Sequence, residues 1–597
     1  MCRIAGIVNF ELPFEEIEKN VNHMCDLQKH GGPDSGGIYT SEEKNLVLGN
    51  RRLSLLDMSD SGQMPMQYGD RYYITYNGEI YNFKTLKNEL ISLGHQFKNE
   101  TDTEVILAGY AQWGVLVFSK LKGMYAFALW DSKERELFLV RDVMGIKPLY
   151  YGVQNNNIYF ASEIRAFEGI EVLSEENKSW PIFMMAYGHL PEPITTYQKI
   201  KPLPSGCFLK YSLSNKNISI QSYSHLSFSN QIEAVDSAHY EHKHSIENSV
   251  KNHLIADAPI GVFLSGGLDS GVIATVASKY KETELNTLSI YFDEPEFSEK
   301  KYQDILIKQL NCKHHQLLLK EEDFHNSFES ILQSMDLPSC DGINTWFISR
   351  YAKEIGLKAV LSGLGGDELY GGYPSFNRIG LALLLQQLPD FLKSIGKTSA
   401  SKKLNRMSYL KLDGIQGIYL FLRGHFTPND IAHYLGAYEQ EIWTILNNEP
   451  NVYSLDKVEG KNKASWMEFN MYMKNQLLRD SDVMSMIHGV EIRVPFLDEV
   501  TVRLAYKTSP EIKFAGPMPK QFLIDMFKNE MPADIWDRPK MGFSFPFSKW
   551  LSNSSFVKDK SNIENKNLNS YYNKFINGNL HWSQLMSLVI LNQRGLN

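Results

Sequence analysis

Two hydrophobic periods divide the chain. Up to about residue 211 the apolar positions come in short runs: Arg3–Val8, Leu46–Gly49, Tyr72–Tyr76, Tyr125–Trp130, Leu137–Val140, Ile158–Ala161 and Cys207–Tyr211. Gly, Asn and Asp punctuate these runs, a spacing that predicts stacked antiparallel sheets. Helical periods are few here, at Phe14–Gln28, Phe83–Leu93 and Thr103–Trp113. Ser212–Asn230 is polar, rich in Ser and Asn, and reads as a linker.

Past a helical stretch from about Ala234 to Ile255, strand and helix patterns alternate. Strands are expected at Ile260–Leu264, Asn286–Phe292, His315–Leu319 and Lys358–Leu361. Helices are expected from Asp269 to Lys281 and at Glu299–Leu310, Glu322–Met335 and Thr345–Ile355. Such alternation predicts an open, parallel, doubly wound sheet, whose ligands sit at the carboxyl ends of the strands. The expected fold class is an α+β N-terminal domain of stacked antiparallel sheets plus an α/β C-terminal domain with added helices. The expected boundaries are 2–211, a linker over 212–233, and 234–597. Arg378–Tyr453 reads as helical without recognisable chemistry, with a loop over Asp390–Lys403. Ser552–Asn579 is Asn- and Lys-rich and is expected to be a mobile surface segment.

Two of these strands end in polar glycine turns. Ile260–Leu264 runs into Ser265-Gly266-Gly267-Leu268-Asp269-Ser270, which opens the helical pattern of Val272, Ile273, Val276 and Ala277. Strand, glycine turn and helix N-terminus make an anion cradle, because backbone N–H groups point outward and the helix dipole favours negative charge. Ser265 and Ser270 add hydroxyl donors. Asp269 beside an anion calls for an intervening cation, which makes it a Mg²⁺ ligand; the alternative is a helix N-cap. Lys358–Leu361 runs into a second turn, Ser362-Gly363-Leu364-Gly365-Gly366-Asp367-Glu368, continuing to Tyr373. One Asp in each of two such turns suits a Mg²⁺–pyrophosphate gripped from both sides.

Composition adds exclusions. With 597 residues, the chain is long enough for three or four units. At 43% hydrophobic and 22% charged it is ordinary for a globular protein. Lys plus Arg is 61 against 69 for Asp plus Glu, a net charge of −8, which argues against nucleic-acid or membrane-surface partners. The longest apolar run, around Ile379–Leu385, is far short of the roughly 20 residues that span a bilayer. Glu11, Glu15 and Glu16 come early and speak against a signal peptide. Cys2, Cys25, Cys207, Cys312 and Cys340 are odd in number and lack CxxC spacing, as in a reducing compartment without a disulfide framework.

The first part also carries a candidate nucleophile. Cys2 is small enough to permit removal of Met1, which would place its thiol beside a free α-amine of ordinary pKa about 8. Such an amine can take the thiol proton and return it to a leaving group. Around Cys2 the chain resembles the N-terminal-nucleophile (Ntn hydrolase) glutamine amidotransferase domain of asparagine synthetases. The motifs are Met1-Cys2 before an Ile/Gly strand, His30-Gly31-Gly32-Pro33-Asp34, Arg52-Leu53-Ser54, Tyr76-Asn77-Gly78-Glu79-Ile80-Tyr81-Asn82, Thr101-Asp102, Gly123–Phe127 and Arg141–Tyr150. The resemblance implies that Cys2 attacks the glutamine side-chain amide. Arg52 would hold the substrate carboxylate, a task for a planar two-donor group. Glu79 and Asp102 would read the α-ammonium, and Asn77 with the Gly78 N–H would form the oxyanion hole. Glu163 and Arg141 are expected to be structural.

The second part is similar to the ATP-pyrophosphatase (PP-loop) superfamily through Ser265–Ser270, which is not a Walker loop because GxxxxGK[ST] is missing. Ser362–Tyr373, Leu477–Asp480, Asp482–Met486, Glu491–Asp498 and Arg538–Phe543 extend the resemblance to asparagine synthetases over nearly the whole chain. It implies ATP binding by Phe263, Ser265, Gly266, Gly267, Asp269, Ser270, Ile290, Ser362 and Gly363. It implies Mg²⁺ on Asp269 and Asp367, and charge stabilisation by Lys520. Four positions depart from the family: Gly31 and Val483 stand where Arg is usual, Leu364 where asparagine-forming members have Glu, and Ile524 where the Lys-x-x-Leu-Arg run ends in Arg.

The resemblance thus implies a cytoplasmic, glutamine-dependent asparagine synthase using ATP and Mg²⁺. Glutamine, ATP and a carboxylic acid, aspartate by default, are its expected substrates, and self-association as a homodimer is left open. Leu364 keeps two alternatives in play. One is amidation of another acid, such as a sugar uronate or an antibiotic or peptide precursor. The other is a glutaminase or regulatory protein with an inactive second domain. Ammonia passing between two sites needs shielding from water, so an apolar passage between them is expected.

Overall fold

The structure is a computed structural model that describes residues 2–57, 59–229, 231–281, 284–393, 405–448, 455, 458–542, 544–554 and 566–595. Met1, Phe543, most of the expected 390–403 loop and part of 552–579 lie outside the described residues. The first half is built on strands β1 (Cys2–Val8), β2 (Ser35–Thr40), β3 (Leu46–Arg52), β4 (Met66–Tyr68), β5 (Tyr72–Ile80), β6 (Gly123–Asp131), β7 (Glu136–Arg141), β8 (Tyr150–Gln154), β9 (Asn157–Ala161), β10 (Ile200–Pro202), β11 (Cys207–Ser212) and β12 (Asn217–Ser222). They form two six-stranded antiparallel sheets, ordered β10-β8-β9-β1-β3-β2 and β12-β11-β7-β6-β5-β4. The expected stacked sheets are therefore present. The expected linker is not wholly a linker: Asn217–Ser222 pairs antiparallel with β11 along its whole length. Its alternation is weak because most of β12 is exposed, so its polar sequence hides an edge strand.

Strand period two sets the chemistry of β1. Cys2, Ile4 and Val8 share one face, and Ile4 and Val8 pack between the sheets with Leu48, Ala126, Leu139 and Phe160. Ala5 and Ile7 face the other way, into a core shared with Ile17, Val21 and Met24 of the helix Phe14–Leu27. Arg3 lies on that second face, wholly buried.

The second half holds β13 (Ile260–Phe263), β14 (Leu285–Tyr291), β15 (Cys312–Leu318), β16 (Ala359–Leu361) and β17 (Glu491–Arg493). All neighbours are parallel, in the order β15-β14-β13-β16-β17. The alternating pattern predicted four of them; β17 is too short to carry a period. Helices Ser375–Gln386, Gly414–Arg423, Pro428–Leu435 and Glu439–Asn447 fill the region read as helical. Asp390–Lys393, expected as loop, and Lys566–Ile576, expected as a mobile segment, are helical. Among the described residues no helix is long and apolar enough to cross a membrane.

Charge is buried where the halves meet. Arg3 Nε pairs with Glu163 at 2.6 Å, and its Nη1 reaches Asp482 of the helix Arg479–Met486 at 2.8 Å. Lys147 Nζ meets the other Asp482 oxygen at 3.2 Å. His30 and Arg165 add to Glu163, so that its carboxyl, pushed up by burial, is nonetheless held far below the usual carboxylate range by His30, Arg3 and Arg165. A Cβ at Gly31 would stand 2.8 Å from Arg3 Cγ and Nε, so the Arg3 side chain fills the space beside Gly31. Glu163 is thus structural as expected, and so is Arg141, which bonds Glu192 and the carbonyls of Lys147 and Leu203.

Removing one partner of a buried ion pair strands the other in a low dielectric, at about 3–5 kcal/mol. Asp482→Ala, which leaves Arg3 and Lys147 facing each other, is expected to lower the unfolding free energy read from urea denaturation by an amount in that range, with a lower midpoint. An unchanged midpoint would mean that water reaches the cluster.

Candidate functional site

The glutamine-type site forms where β1, β3 and β5 meet. Cys2 is 5% exposed, and its N–H donates to Asn77 Oδ1 at 3.2 Å. Asn77 Nδ2 is buried and has no hydrogen-bond partner among the described residues, a donor held ready for an oxyanion. Next to it, Gly78 lies against β6, where a Cβ would stand 2.2 Å from Met124 O. Only glycine brings that backbone so close. Burial pushes the Cys2 thiol up; the amino-terminal charge, the Leu53 N–H and Arg52 oppose it. The thiol therefore rests protonated and needs a base.

Arg52 closes β3 and is oriented by loop carbonyls: Nη1 donates to Ser59 O at 3.1 Å, and Nη2 to Leu56 O at 3.3 Å and Asp57 O at 2.5 Å. Asp102, at the start of the helix Asp102–Trp113, accepts from Tyr76 Oη at 2.7 Å and Ile80 N at 2.9 Å. Burial raises its pKa against those two donors. Glu79 is pushed up to about 8, chiefly by burial, with Glu491 and Asp102 adding to the rise and Arg493 opposing it. Two buried acids thus stand side by side with raised pKa values, because burial disfavours their charged forms. Cys2 N bonds Asn77 and pairs in register with Arg52, and Asp102 acts on Glu79, two residues along β5 from Asn77.

The second site lies at the carboxyl ends of β13, β14 and β16, as expected of a parallel sheet. A cavity of about 950 Å³ opens there, large for a small-molecule site. Phe263, Ser265, Gly267, Asp269, Ser270, Ile290, Ser362, Gly363, Asp367 and Lys520 line it. Gly266 does not: it sits behind the turn at φ +83°, with its carbonyl bonded to Arg538 Nη2 at 3.0 Å. Its part is to shape the turn. Ser265 Oγ and Ser270 Oγ stand 3.0 Å apart, and Ser265 Oγ also accepts from Gly267 N at 3.3 Å. Asp269 lies one residue inside the helix Leu268–Tyr280 and no N-cap side-chain bond is present there, so the capping alternative falls away.

The two turns face each other. A Cβ at Gly366 would lie 2.5 Å from Asp269 Oδ1. The Lys520 ammonium pairs with both Asp269 and Asp367, and Lys540 Nζ meets Asp367 at 2.7 Å. Burial opposes charge on Asp269, Asp367 and Lys520. Asp367 is nevertheless brought down to about 2 by Lys520 and Lys540, whereas burial wins at Asp269 and raises it. The pair of carboxylates already embraces one cation. Asp269 Oδ1 is buried without a hydrogen-bond partner among the described residues. Two such carboxylates fit Mg²⁺, which takes one or two of them and completes its shell with phosphate and water.

Three residues given no role from sequence stand at these sites. Lys540 adds a second cation at Asp367. Arg493 reaches Glu79 from the other half of the chain, with Nη2 to Oε1 at 3.2 Å. Glu368 lines the cavity with Leu364; burial, with the Asp367 charge adding, pushes its carboxyl up to about 8, and it accepts from Tyr373 Oη at 2.7 Å. Lys540, Glu368 and Arg493 all belong to quoted motifs, which was the available signal, but nothing local showed that Arg493 reaches Glu79. Of the departures, Leu364 and Ile524 line the cavity, and Val483 is buried beside Asp482.

Comparison with known proteins finds a separate family for each half of the chain. Residues 1–224 match the family described as glutamine amidotransferase domain, and residues 241–576 the family described as asparagine synthase. Asparagine synthetase [glutamine-hydrolyzing] 1 of Bacillus subtilis is 30% identical, over 96% of this chain and 92% of that protein. Asparagine synthetase B [glutamine-hydrolyzing] of Escherichia coli is 26% identical, over 91% and 82%. A protein named amidase chry2, from Gibberella zeae, is 25% identical over 92% and 89%. With its second half matched over more than half of the chain, and a relative at 30% identity along almost all of it, the chain belongs to the asparagine synthase family.

Proposed function

We propose that the chain is a glutamine-dependent, AMP-forming amidotransferase with aspartate as its default acceptor. After removal of Met1, the Cys2 α-amine takes the thiol proton. Sulfur then attacks the glutamine side-chain carbonyl carbon, and the oxyanion is received by Asn77 Nδ2 and the Gly78 N–H. The C–N bond breaks, the proton leaves with ammonia, and water hydrolyses the thioester to glutamate. Arg52 holds the α-carboxylate, and Glu79 with Asp102 the α-ammonium.

In the second site the acceptor carboxylate attacks the α-phosphorus of ATP and pyrophosphate leaves. Ammonia then attacks the acyl carbon and AMP leaves. The Ser265–Ser270 turn and the Ser362–Gly363 pair grip the nucleotide, and Lys520 steadies the charge on phosphate. Mg²⁺ held by Asp269 and Asp367 would neutralise the pyrophosphate. The observation that carries this reading is the Lys520 ammonium between Asp269 and Asp367, opposite a glycine turn, in a chain whose Cys2 adjoins an unpartnered Asn77 donor.

The acceptor is the open choice. Leu364 neither accepts a proton nor fixes an ammonium, yet Glu368 brings a carboxyl to the same cavity. That favours a working second site over an inactive one and leaves room for acids other than aspartate.

Pyrophosphate release with glutamine, ATP and a panel of carboxylic acids tests the reading. Release with aspartate, with asparagine formed, is expected. Release with another acid alone would move the assignment to that acid, and none with any acid would favour the glutaminase or regulatory alternative. Cys2→Ala should abolish glutamine use and leave ammonia-dependent synthesis; retained glutamine use would remove Cys2 from its role. Amide nitrogen labelled in glutamine should reach the product undiluted when external ammonia is doubled. Proportional dilution would rule out a shielded passage.

A further inference from the structure

The strands that end at the nucleotide site begin at the glutamine site. Just before β13, Asp257 N and Ala258 N donate to Leu55 O at 2.9 and 3.3 Å, and Asp257 Oδ2 accepts from Asp57 N at 2.8 Å. Leu55 and Asp57 belong to the loop that orients Arg52. Just before β16, Lys358 Nζ meets Asp34 at 2.7 Å, and Asp34 accepts from Ser54 N at 2.9 Å. Strands β13 and β16 then run straight into Ser265 and Ser362.

The third strand, β17, touches the ligand-reading groups themselves. Arg493 is wholly buried. Its Nε pairs with Glu491 at 2.5 Å, and Nη1 donates to His253 O at 2.8 Å and Ile255 O at 2.6 Å. That grip leaves Nη2 directed at Glu79 Oε1, 3.2 Å away. The Arg493 carbonyl accepts from Ser362 N at 2.8 Å, where Leu361 pairs with Arg493 in the sheet. One residue therefore holds the glutamine-type site by its side chain and the nucleotide-binding edge by its backbone.

We propose that Arg493 is a positioning residue for glutamine: from the ATP-binding half of the chain it pairs with Glu79 and fixes that carboxyl in place to meet the glutamine α-ammonium. The inference rests on the reading of Glu79 as an ammonium-binding group. Glu79 faces Arg493 and Glu491 from β17, Asp102 from its helix, Cys2 from β1, and Tyr76 and Tyr81 from its own strand and the turn after it. Arg493 and, less strongly, the amino-terminal charge oppose burial there, and Glu491 and Asp102 both favour protonation. Without Arg493 the carboxyl protonates at higher pH, and a neutral carboxyl draws an ammonium far less.

The sign is testable. Glutamine capture needs the anion, so kcat/KM for glutamine, read as glutamate release, should rise with pH along an acid limb that reports the free enzyme. Arg493→Met is expected to move that limb to higher pH, with about a tenfold loss on the limb for each unit moved. The pH profile of ammonia-dependent pyrophosphate release, which does not use Glu79, should keep its wild-type shape. Arg493→Lys keeps the charge but not the three-way grip, so its limb should move part of the way; it also serves if the Met variant does not fold. A limb that stays in place in either variant overturns the proposal, as does an equal displacement in the ammonia-dependent profile. If the wild-type protein released no glutamate from glutamine, the reading of the first site would fail and this inference with it. A working wild type with an indifferent Arg493 variant would overturn this inference alone.

Discussion

Charge buried between the two halves is the constraint on which the rest of the molecule depends. An isolated ion there would cost several kcal/mol, so each must meet a partner. Arg3 comes from the strand that carries Cys2, and its partner Asp482 comes from the other half. Lys147 and Asp34 make similar crossings to Asp482 and Lys358. Such pairs add little net stability compared with apolar packing, but they fix orientation, because a slipped interface strands several charges at once. The strand that carries Cys2 is thereby locked against the other half of the chain.

The same logic organises each site internally. Asp269 and Asp367 are too close to both stay charged in a dry site without a cation, and Lys520 and Lys540 supply it. Glu79 and Asp102 form a second acidic pair, and the Arg493 guanidinium that reaches Glu79 is borrowed from the other half. Each site is thus held near neutrality with ligand-sized charge still to be matched.

The positions that depart from the family gain a physical account. Gly31 leaves room that the Arg3 side chain occupies, so a guanidinium is still present at that point of the interface. Leu364 removes a carboxylate from the second turn while Glu368, four residues on, presents a protonatable one to the same cavity. Val483 is buried, and the charge at that turn of helix is carried by Asp482.

Local sequence determined a good deal. Period-two runs and turn residues placed most strands of both antiparallel sheets, and alternation placed the parallel sheet with its two glycine turns. Cys2, Asp269 and Asp367 could be singled out as candidates from near neighbours, a strand start or a glycine turn, whereas Asn77 and Gly78 came only with the family resemblance. What stayed hidden depends on partners far along the chain. The edge strand β12 looks like linker because an exposed strand needs no hydrophobic face, and β17 is too short to show a period. The ties of Arg3 to Asp482 and of Arg493 to Glu79 span hundreds of residues, and no local pattern encodes them. Sequence alone therefore decided which chemistries the chain carries. Only the tertiary structure decided that they share one buried, charge-paired boundary, because burial and pairing are properties of the assembled interface.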